Sequence, residues 1–404
     1  MNFKNAIKQL FAPEQKDMSD SRTLMQLIDL GNPGWTESGY TKIANQGYAK
    51  NPTAHRCIDL ISDAIATLPW IVRDASGNEV ESGPIIDLLK RPNPEQGTAS
   101  FFYEMEMYKL IDGNSFIQAV KPSTSAPKEL FLLRPDRVKV VPGEYRLPAA
   151  FEYRTAKTKT TFEVDALTGD SDVLQIKTAN PLNDWRGLSP LSVAMMSVDL
   201  FNTGVTWNQK LLKNGARPMG MFSTDQELTA GQRIELKNSL EQYQGAVNTG
   251  KPMITEGGLK FQSIGLTVVD ADFIEGKKSA MIDIASSFGV PPQLAGLTDS
   301  STYNNVKEAK LELYNQVILP EAEIIITEFN HWLMPMFGDG YELAINMDEI
   351  QALQETRNIY WEKIESATFL TDNEKRELLG FEPLAEEVDE VDDDNVDDST
   401  ETTE

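Results

Sequence analysis

The residues best placed for acid–base chemistry are two aspartates on one predicted helix. Asp59 and Asp63 lie one helical turn apart, and paired carboxylates at that spacing are a candidate general acid and base. The alternative is a solvated or subunit-facing helix flank, which is favoured because nothing nearby in sequence completes a catalytic set. Cys57 lies on the same predicted helix and is the single cysteine of the chain. We expect a buried thiol, and an intrachain disulfide is excluded.

No spaced motif in the chain points to a known catalytic chemistry. HExxH, CxxC, GxSxG and GxxxxGK[ST] are all absent from the sequence, so zinc hydrolysis, acyl transfer and P-loop phosphate binding have no anchor. His331 precedes Trp332 on a long predicted helix, where a packed core or interface histidine is the favoured interpretation. We therefore predict a protein that is not an enzyme and that needs no metal or cofactor.

The charge of the chain is strongly acidic and unevenly distributed. The 404 residues carry a net charge of −25. Eleven acids and no Lys or Arg lie between Glu386 and Glu404, and such a tail is predicted to be disordered because it has little apolar surface to bury. Its aspartates lack the spaced ligands and the turn glycine of a calcium loop. No apolar run reaches the ~18 residues of a membrane span, so no membrane partner is expected.

The elements that must position any functional residue are three long helices. Ser189 and Pro190 supply an N-cap and a first helical residue, and apolar positions from Leu191 to Leu212 recur three or four residues apart. That helix is roughly 37 Å long at 1.5 Å per residue. A second helix is predicted to end near Phe288, and a third is predicted over residues 303–334 with a kink at Pro320. Because their apolar stripes are modest, we expect these helices to pack against copies of the same chain.

The remaining predicted elements indicate an α+β protein. Residues 51–187 are predicted to form a sheet with helices against it, including a helix over residues 53–68 and one that begins at a Thr98 cap. A small α/β insert lies between the first two long helices, and two short polar helices follow a strand near Tyr341. Residues 1–48 are polar and poorly periodic, so we expect a loosely attached arm.

An ordered set of short motifs resembles the portal proteins of long-tailed double-stranded DNA phages. The similarity covers residues from about Asn51 to Pro383, and each motif is weak alone whereas the order and spacing of the set are specific. The motifs are Gly113-Asn114-Ser115, Leu133-Arg134-Pro135-Asp136-Arg137-Val138, Gly187-Leu188-Ser189-Pro190-Leu191, Asn214-Gly215-Ala216-Arg217-Pro218, Phe288-Gly289-Val290-Pro291-Pro292 and Tyr303-Asn304-Asn305-Val306.

The resemblance implies a portal-type fold with long stem helices, an α/β clip insert, an α+β wing and a small helical crown. The implied segments are an N-terminal arm (1–50), wing (51–187), stem helix 1 (188–216), clip (217–265), stem helix 2 (266–292), tunnel loop (293–302), long kinked helix with a wing strand (303–348), small crown (349–385) and disordered acidic tail (386–404). The tunnel loop consists of Gln293, Leu294, Ala295, Gly296, Leu297, Thr298, Asp299, Ser300, Ser301 and Thr302.

The same resemblance implies a homo-oligomer, as a dodecameric ring around double-stranded DNA at one capsid vertex of a virion assembled in the host cytoplasm. The implied partners are the large terminase subunit, a head-completion or adaptor protein and the major capsid protein. An acidic wall would repel DNA and keep it near the axis. Possible contacts with the DNA backbone are Lys210, Lys213, Arg217, Lys277 and Lys278. Salt bridges between subunits are an equally open interpretation of these five residues.

Two other functions stay open at this point. A head–tail adaptor or scaffold-like protein would form rings without being the packaging channel. An acidic α+β enzyme with a helical lid would have a deep pocket with convergent polar groups in one subunit.

Overall fold

The computed structural model describes most of the chain between residues 36 and 378. The described residues are 36, 39–122, 126–144, 147–213, 220–223, 229, 231, 232, 234, 235, 238, 260–263, 273–297, 303–378 and 384. They divide into two compact units, one built from residues 36–67 and 72–343 and the other from residues 68–71 and those after 343. Most of the predicted arm and clip, the second half of the predicted tunnel loop and the acidic tail lie outside the described residues.

Helices dominate the described chain. In chain order they are α1 (Tyr40–Ile43), α2 (Pro52–Ala66), α3 (Pro84–Lys90), α4 (Thr98–Asp112), α5 (Pro190–Lys213), α6 (Phe273–Ser287), α7 (Tyr303–Leu313), α8 (Leu319–Trp332), α9 (Gln351–Ser366) and α10 (Asp372–Leu378). A π-helical segment, Ala44–Ala49, follows α1, and a second, Tyr314–Ile318, joins α7 to α8.

Strands form two three-stranded antiparallel sheets and two smaller pairs. The strands are β1 (Trp70–Arg73), β2 (Asn114–Val120), β3 (Glu129–Leu133), β4 (Val138–Pro142), β5 (Pro148–Arg154), β6 (Lys159–Glu163), β7 (Val173–Lys177), β8 (Gly220–Ser223), β9 (Lys260–Ser263) and β10 (Glu342–Ile345). The sheet orders are β3-β2-β7, β4-β5-β6, β8-β9 and β1-β10. In the first sheet Ile117 of β2 lies opposite Leu132 and Leu174.

The two larger sheets share one apolar core. Phe116 of β2 meets Phe151 of β5 with the ring centroids 5.9 Å apart, and the side chains of Leu133, Val140 and Val173 complete the cluster. A second core lies between helices, where Ile58 and Ile65 of α2 and the phenylalanines of α4 are fully buried. Burial of side chains of this size is the main stabilising term for the unit.

Helix starts follow from local hydrogen bonding. The Asn51 side-chain oxygen accepts from the backbone N–H groups of Thr53 and Ala54 at 3.0 and 2.9 Å, which caps α2 ahead of its first-turn proline. Ser189 caps α5 in the same way, because its Oγ accepts from the N–H of Ser192 at 3.0 Å. The predicted cap and proline start of the first long helix are therefore confirmed.

Three expectations from the sequence were wrong in detail. Two sheets replace the single expected sheet, and β6 was not predicted. Thr98 does not cap α4, since it is the first helical residue and its hydroxyl donates to the Leu89 carbonyl oxygen at 2.8 Å. Residues 40–49 are helical and Gly47 is buried, so this part of the arm is packed rather than loosely attached.

The second unit contains α9 and α10. The Arg357 guanidinium binds the Asp348 carboxylate at 2.6 Å and lies 4.8 Å from the centroid of the Trp361 ring. Thr371 and Glu374 form a capping box at α10, since each side chain accepts from the other's backbone N–H. Both polar helices predicted near the C-terminus are present, and their assignment to a crown stays a prediction.

Candidate functional site

The long helix α5 is anchored to the end of α4 by a close backbone contact. Gly113, with φ +81°, ends α4, and a Cβ at Gly187 would collide with its carbonyl oxygen. The Ser189 hydroxyl donates to the Leu110 carbonyl oxygen at 2.9 Å, and the Arg186 guanidinium binds Asp112 at 2.5 Å. These contacts fix where α5 leaves the sheets.

Helices α5 and α6 pack as an antiparallel pair. Ser197 donates to the Asp283 carboxylate at 3.3 Å, and one turn later the Lys277 ammonium lies 5.1 Å from the centroid of the Phe201 ring. The buried side of the pair is apolar and includes Leu191, Ala194, Met195, Val198, Phe201, Ala280, Ile284, Ala285 and Phe288. This is the packing expected for two helices with facing stripes.

As far as Lys210, the last α5 residue whose burial is described, the buried stripe of the helix ends at Phe201. Between Asn202 and Lys210 every described residue is half-buried or exposed. Val205, which the periodicity placed on the buried face, is 43% exposed. The second half of α5 therefore extends beyond the packing that the described part of its own chain provides.

A second apolar stripe runs along the opposite face of α5. Val193, Met196 and Leu200 are 59, 67 and 56% exposed, and their spacing of three and four residues places them on one face. That face is turned roughly 160° from the mean direction of the buried residues of α5, which pack against α6 and against residues 44–49. An exposed apolar stripe of this kind marks an interaction surface.

The first half of the predicted tunnel loop is a compact turn between α6 and α7. Gly289 has φ +66° and Gly296 has φ +103°. The N–H groups of Leu294 and Ala295 donate to the carbonyl oxygens of Pro291 and Pro292 at 2.9 and 3.2 Å. Ala295 is buried and Gln293 is exposed, while residues 298–302 lie outside the described residues.

The five predicted basic residues are not brought together as one described cluster. Lys210 is exposed on α5. Lys277 makes the contact with Phe201 within its own chain, and its neighbour Lys278 is half-buried. The Lys213 side chain and the whole of Arg217 lie outside the described residues.

The predicted carboxylate pair is occupied by contacts that the sequence did not indicate. Asp59 accepts from the hydroxyls of Tyr103 and Tyr48 at 2.7 and 3.1 Å and lies 3.1 Å from the His55 Nε2. Burial raises the pKa of both tyrosines, so both donate as neutral phenols. Asp59 therefore joins the middle of α2 to α4 and to the segment before α2, and these contacts account for its carboxylate without Asp63.

The other candidate reactive groups are inert or dispersed. Cys57 is fully buried, and burial raises the pKa of its thiol to about 12, so the nucleophilic thiolate is scarce. His331 is exposed. In the part of the chain described here, no cluster of three His, Cys, Asp or Glu side chains has a metal-binding arrangement. None of the described helices combines the length and the apolar character needed to cross a membrane.

Comparison with known proteins assigns the fold to a class. The family model of the phage portal protein matches residues 52–380. The chain is 25% identical over 367 residues to the portal protein of Enterobacteria phage HK97, covering 86% of this chain and 82% of that one. This chain belongs to the phage portal protein family.

Solved structures from gene transfer agent (GTA) particles agree with this assignment. The neck of an empty GTA particle, computed with C6 symmetry, is 35% identical with a TM-score of 0.69, covering 88% of this chain and 96% of that chain. The neck of a native GTA particle, computed with C12 symmetry, is 34% identical with a TM-score of 0.66 over the same shares. The α+β portal-type fold and the portal function expected from the motifs are thus confirmed.

Proposed function

We propose that this portal protein acts as a dodecameric ring whose bore carries double-stranded DNA into and out of a capsid through one vertex. The observation that carries the ring is the second apolar stripe of α5, formed by Val193, Met196 and Leu200 on the face opposite its buried residues. A helix with apolar stripes on opposite faces needs two packing partners, and α6 supplies one. A neighbouring copy of α5 or α6 supplies the other, as in a closed heterologous ring. The C12 symmetry of the similar GTA neck supports twelve copies.

The acidity of the chain favours a channel through which DNA slides over a protein that binds DNA tightly. A net charge of −25 per subunit, repeated around an axis, repels phosphates and holds a duplex near the centre. Tight DNA binding would instead require many Lys and Arg contacts with release of counterions. Exposed Lys210 is a candidate for a sparse basic ring, whereas Lys277 is better suited to stabilising the α5–α6 pair.

The loop of residues 293–302 is proposed to line the bore. Its described residues, 293–297, follow α6, so they lie at one end of the pair that forms the proposed wall. Its described half is small and turn-like, with exposed Gln293 and left-handed Gly296. Such a segment presents backbone and short polar groups to DNA without a strong electrostatic grip.

The proposed external contacts follow from the family architecture. The large terminase subunit would dock on the clip (217–265) during packaging, and a head-completion or adaptor protein would replace it afterwards. The wing (51–187) would contact the major capsid protein. No enzymatic step is assigned to the chain, and assembly in the host cytoplasm with incorporation into the virion completes the proposal.

The ring is tested by placing a charge in the exposed stripe. Purified wild-type protein should form rings with a central hole in electron micrographs, whereas Met196→Glu should lower the ring fraction about tenfold or more, because a charge would be desolvated at the contact. Size-exclusion chromatography with light scattering measures the ring fraction.

The matched control is Leu167→Glu, which places the same charge at a residue that is 95% exposed and far from α5 in sequence. This variant should keep the ring fraction of the wild type, and circular dichroism should show both variants folded. A wild-type chain that stays monomeric at high concentration, or Met196→Glu rings as abundant as those of the wild type, would contradict the proposal.

A further inference from the structure

The outer side of the sheet β4-β5-β6 is basic in an otherwise acidic chain. Residues 137–159 contain six Lys or Arg and two acids, although the whole chain has a net charge of −25. Val138, Val140 and Phe151 belong to the core, so the residues that alternate with them point outward. The exposed cations on this side of the sheet and in its β5–β6 turn are called the basic face: Arg137, Lys139, Arg154, Lys157 and Lys159.

Three cations of the basic face are crowded at one end of the sheet. Arg154 lies directly opposite Lys159 on the neighbouring strand. Val138 pairs with Tyr153, so the preceding residue, Arg137, lies on the other side of Arg154. Like charges in such positions destabilise a sheet, and the stability of the fold therefore does not account for this row. A concentration of one charge on a surface favours a partner of the opposite charge.

One acid on the same side of the sheet offsets part of this charge. The Glu152 carboxylate binds Arg154 at 2.7 Å and Lys159 at 2.9 Å. These two hydrogen bonds lower the pKa of Glu152 to about 2, so it is ionised at neutral pH and holds both cations in place. The other three residues of the basic face make no ion pair within the described part of the chain. Most of the positive charge is therefore available to a partner.

The segment of the chain with complementary charge is the acidic tail, residues 386–404. It contains eleven acids and no Lys or Arg. The chain beyond Leu384 can extend up to roughly 66 Å, whereas β6 is about 17 Å long. The tail is thus long enough to cross the whole basic face.

Attachment to the protein favours the tail over DNA as the occupant. A tethered segment has an effective concentration in the mM range with respect to nearby sites. A free DNA duplex is repelled by the net charge of −25 on each subunit, whereas the tail cannot diffuse away.

We propose that the basic face binds the acidic tail of a neighbouring copy. Acidic subunits repel one another, and a tail placed on the basic face of the next subunit replaces part of that repulsion by attraction. The proposed ring supplies the neighbouring copy, so the inference rests on that proposal. The pairs are exposed to solvent, so salt weakens them.

The test is zero-length crosslinking of full-length protein with a carbodiimide, which joins a lysine amine to a carboxylate in contact with it. Isotope-labelled and unlabelled subunits are mixed before rings form, and mass spectrometry identifies the linked peptides. Lys157 or Lys159 should be linked to residues 386–404 in peptides that combine both isotopes. About 0.5 M salt should lower the yield of these links about tenfold by screening.

Arg137→Glu should lower the same yield about fivefold, because it reverses one charge of the basic face and leaves the reactive lysines in place. Lys90→Glu is the matched control, since Lys90 is an exposed lysine at the end of α3. This control should keep the wild-type yield, and circular dichroism should show both variants folded.

The proposal is wrong if the tail links are absent, if they combine only peptides of one isotope, or if the two variants give equal yields. A short DNA duplex that binds the wild type but not Arg137→Glu, in the absence of tail links, would make the basic face a nucleic-acid site instead. Light scattering of the same samples reports the ring separately. Rings without tail links overturn this inference alone, whereas subunits that stay monomeric overturn both.

Discussion

At the scale of single residues, a contact between two glycines positions the start of α5. Gly113 ends α4 in a left-handed conformation, and Gly187 lies against its carbonyl group just before α5. The Thr178 N–H donates to the Gly113 carbonyl oxygen at 3.0 Å, and the Gly187 N–H donates to the Asn114 side-chain oxygen at 2.9 Å. Side chains have no room here because backbone meets backbone.

Gly187→Ala should therefore destabilise the fold. The added methyl group would collide with the Gly113 carbonyl and with the backbone of Thr178, so we expect a loss of about 3 kcal/mol in the free energy of unfolding. Thermal unfolding at fixed protein concentration measures it.

Gly276→Ala is the control for this change. Gly276 lies inside α6 with open space where a Cβ would be placed, and alanine there should raise stability by about 0.5–1 kcal/mol. Equal effects of the two substitutions would show that the glycine contact does not matter.

At the scale of elements, Thr36 and residues 39–49, which precede α2, pack across α5, and we call them the strap. Thr36 donates through its N–H and its hydroxyl to the Asp199 carboxylate at 2.7 and 2.6 Å. The Asn202 side chain donates to the Gln46 carbonyl oxygen at 2.9 Å, and Gly47 lies against Leu191. The strap thus covers part of α5, including Leu191 of its buried stripe.

Asp199→Ala should release the strap. Losing a charged acceptor for two hydrogen bonds should speed tryptic cleavage at Lys42 about tenfold, because the segment opens more often. Limited proteolysis followed by mass spectrometry measures the rate.

Gln209→Ala, an exposed change on the same helix, should leave tryptic cleavage at Lys42 unchanged. If cleavage after Asp199→Ala matches that of this control, the two hydrogen bonds do not hold the strap.

The elements that could be predicted from sequence are those whose signals are local. Ser189 and Pro190 mark the start of α5, and apolar spacing marks its buried face as far as Phe201. The strap was missed because its packing depends on Leu191 and Asp199, more than 140 residues away. Strand β6 was missed because its alternation is mostly polar, with Phe162 as its single large apolar residue. The partners of Asp59 were missed because Tyr103 reaches it only after α2 and α4 pack.

At the scale of the whole molecule, the predicted role of the 293–302 loop distinguishes a ring that acts as a DNA channel from a ring that does not carry DNA. Deleting the loop should leave rings intact and strongly reduce DNA packaging, because the bore loses its lining. A DNA-packaging assay with purified terminase measures the effect. A head–tail adaptor would instead leave DNA translocation unchanged.

A Gly-Ser linker of equal length in place of residues 293–302 controls for the shortened connection between α6 and α7. Packaging should fall with this linker as well. Normal packaging by both variants would remove the loop from the proposed bore and leave the ring proposal standing.

The sequence could be assigned to the portal family because short motifs keep their order across the chain. The burial pattern of α5 could not be read in the same way, because the periodicity places Val205 on the buried face whereas none of the residues described between Asn202 and Lys210 is buried. A stripe of Val, Met and Leu residues looks the same in sequence whether its partner is the same chain or another copy. Only the folded subunit separates the two faces.

The contact between Gly113 and Gly187 holds the N-terminal end of α5 rigidly, and we call this end the root of the helix. The helix is about 36 Å long from this root to its last residue, and at the root the backbone of Gly187 lies directly against that of Gly113. A tilt of roughly 5° at the root would sweep the far end through about 3 Å. Small changes in the sheets next to the root would therefore be magnified along the helix, with the largest displacement at the tip.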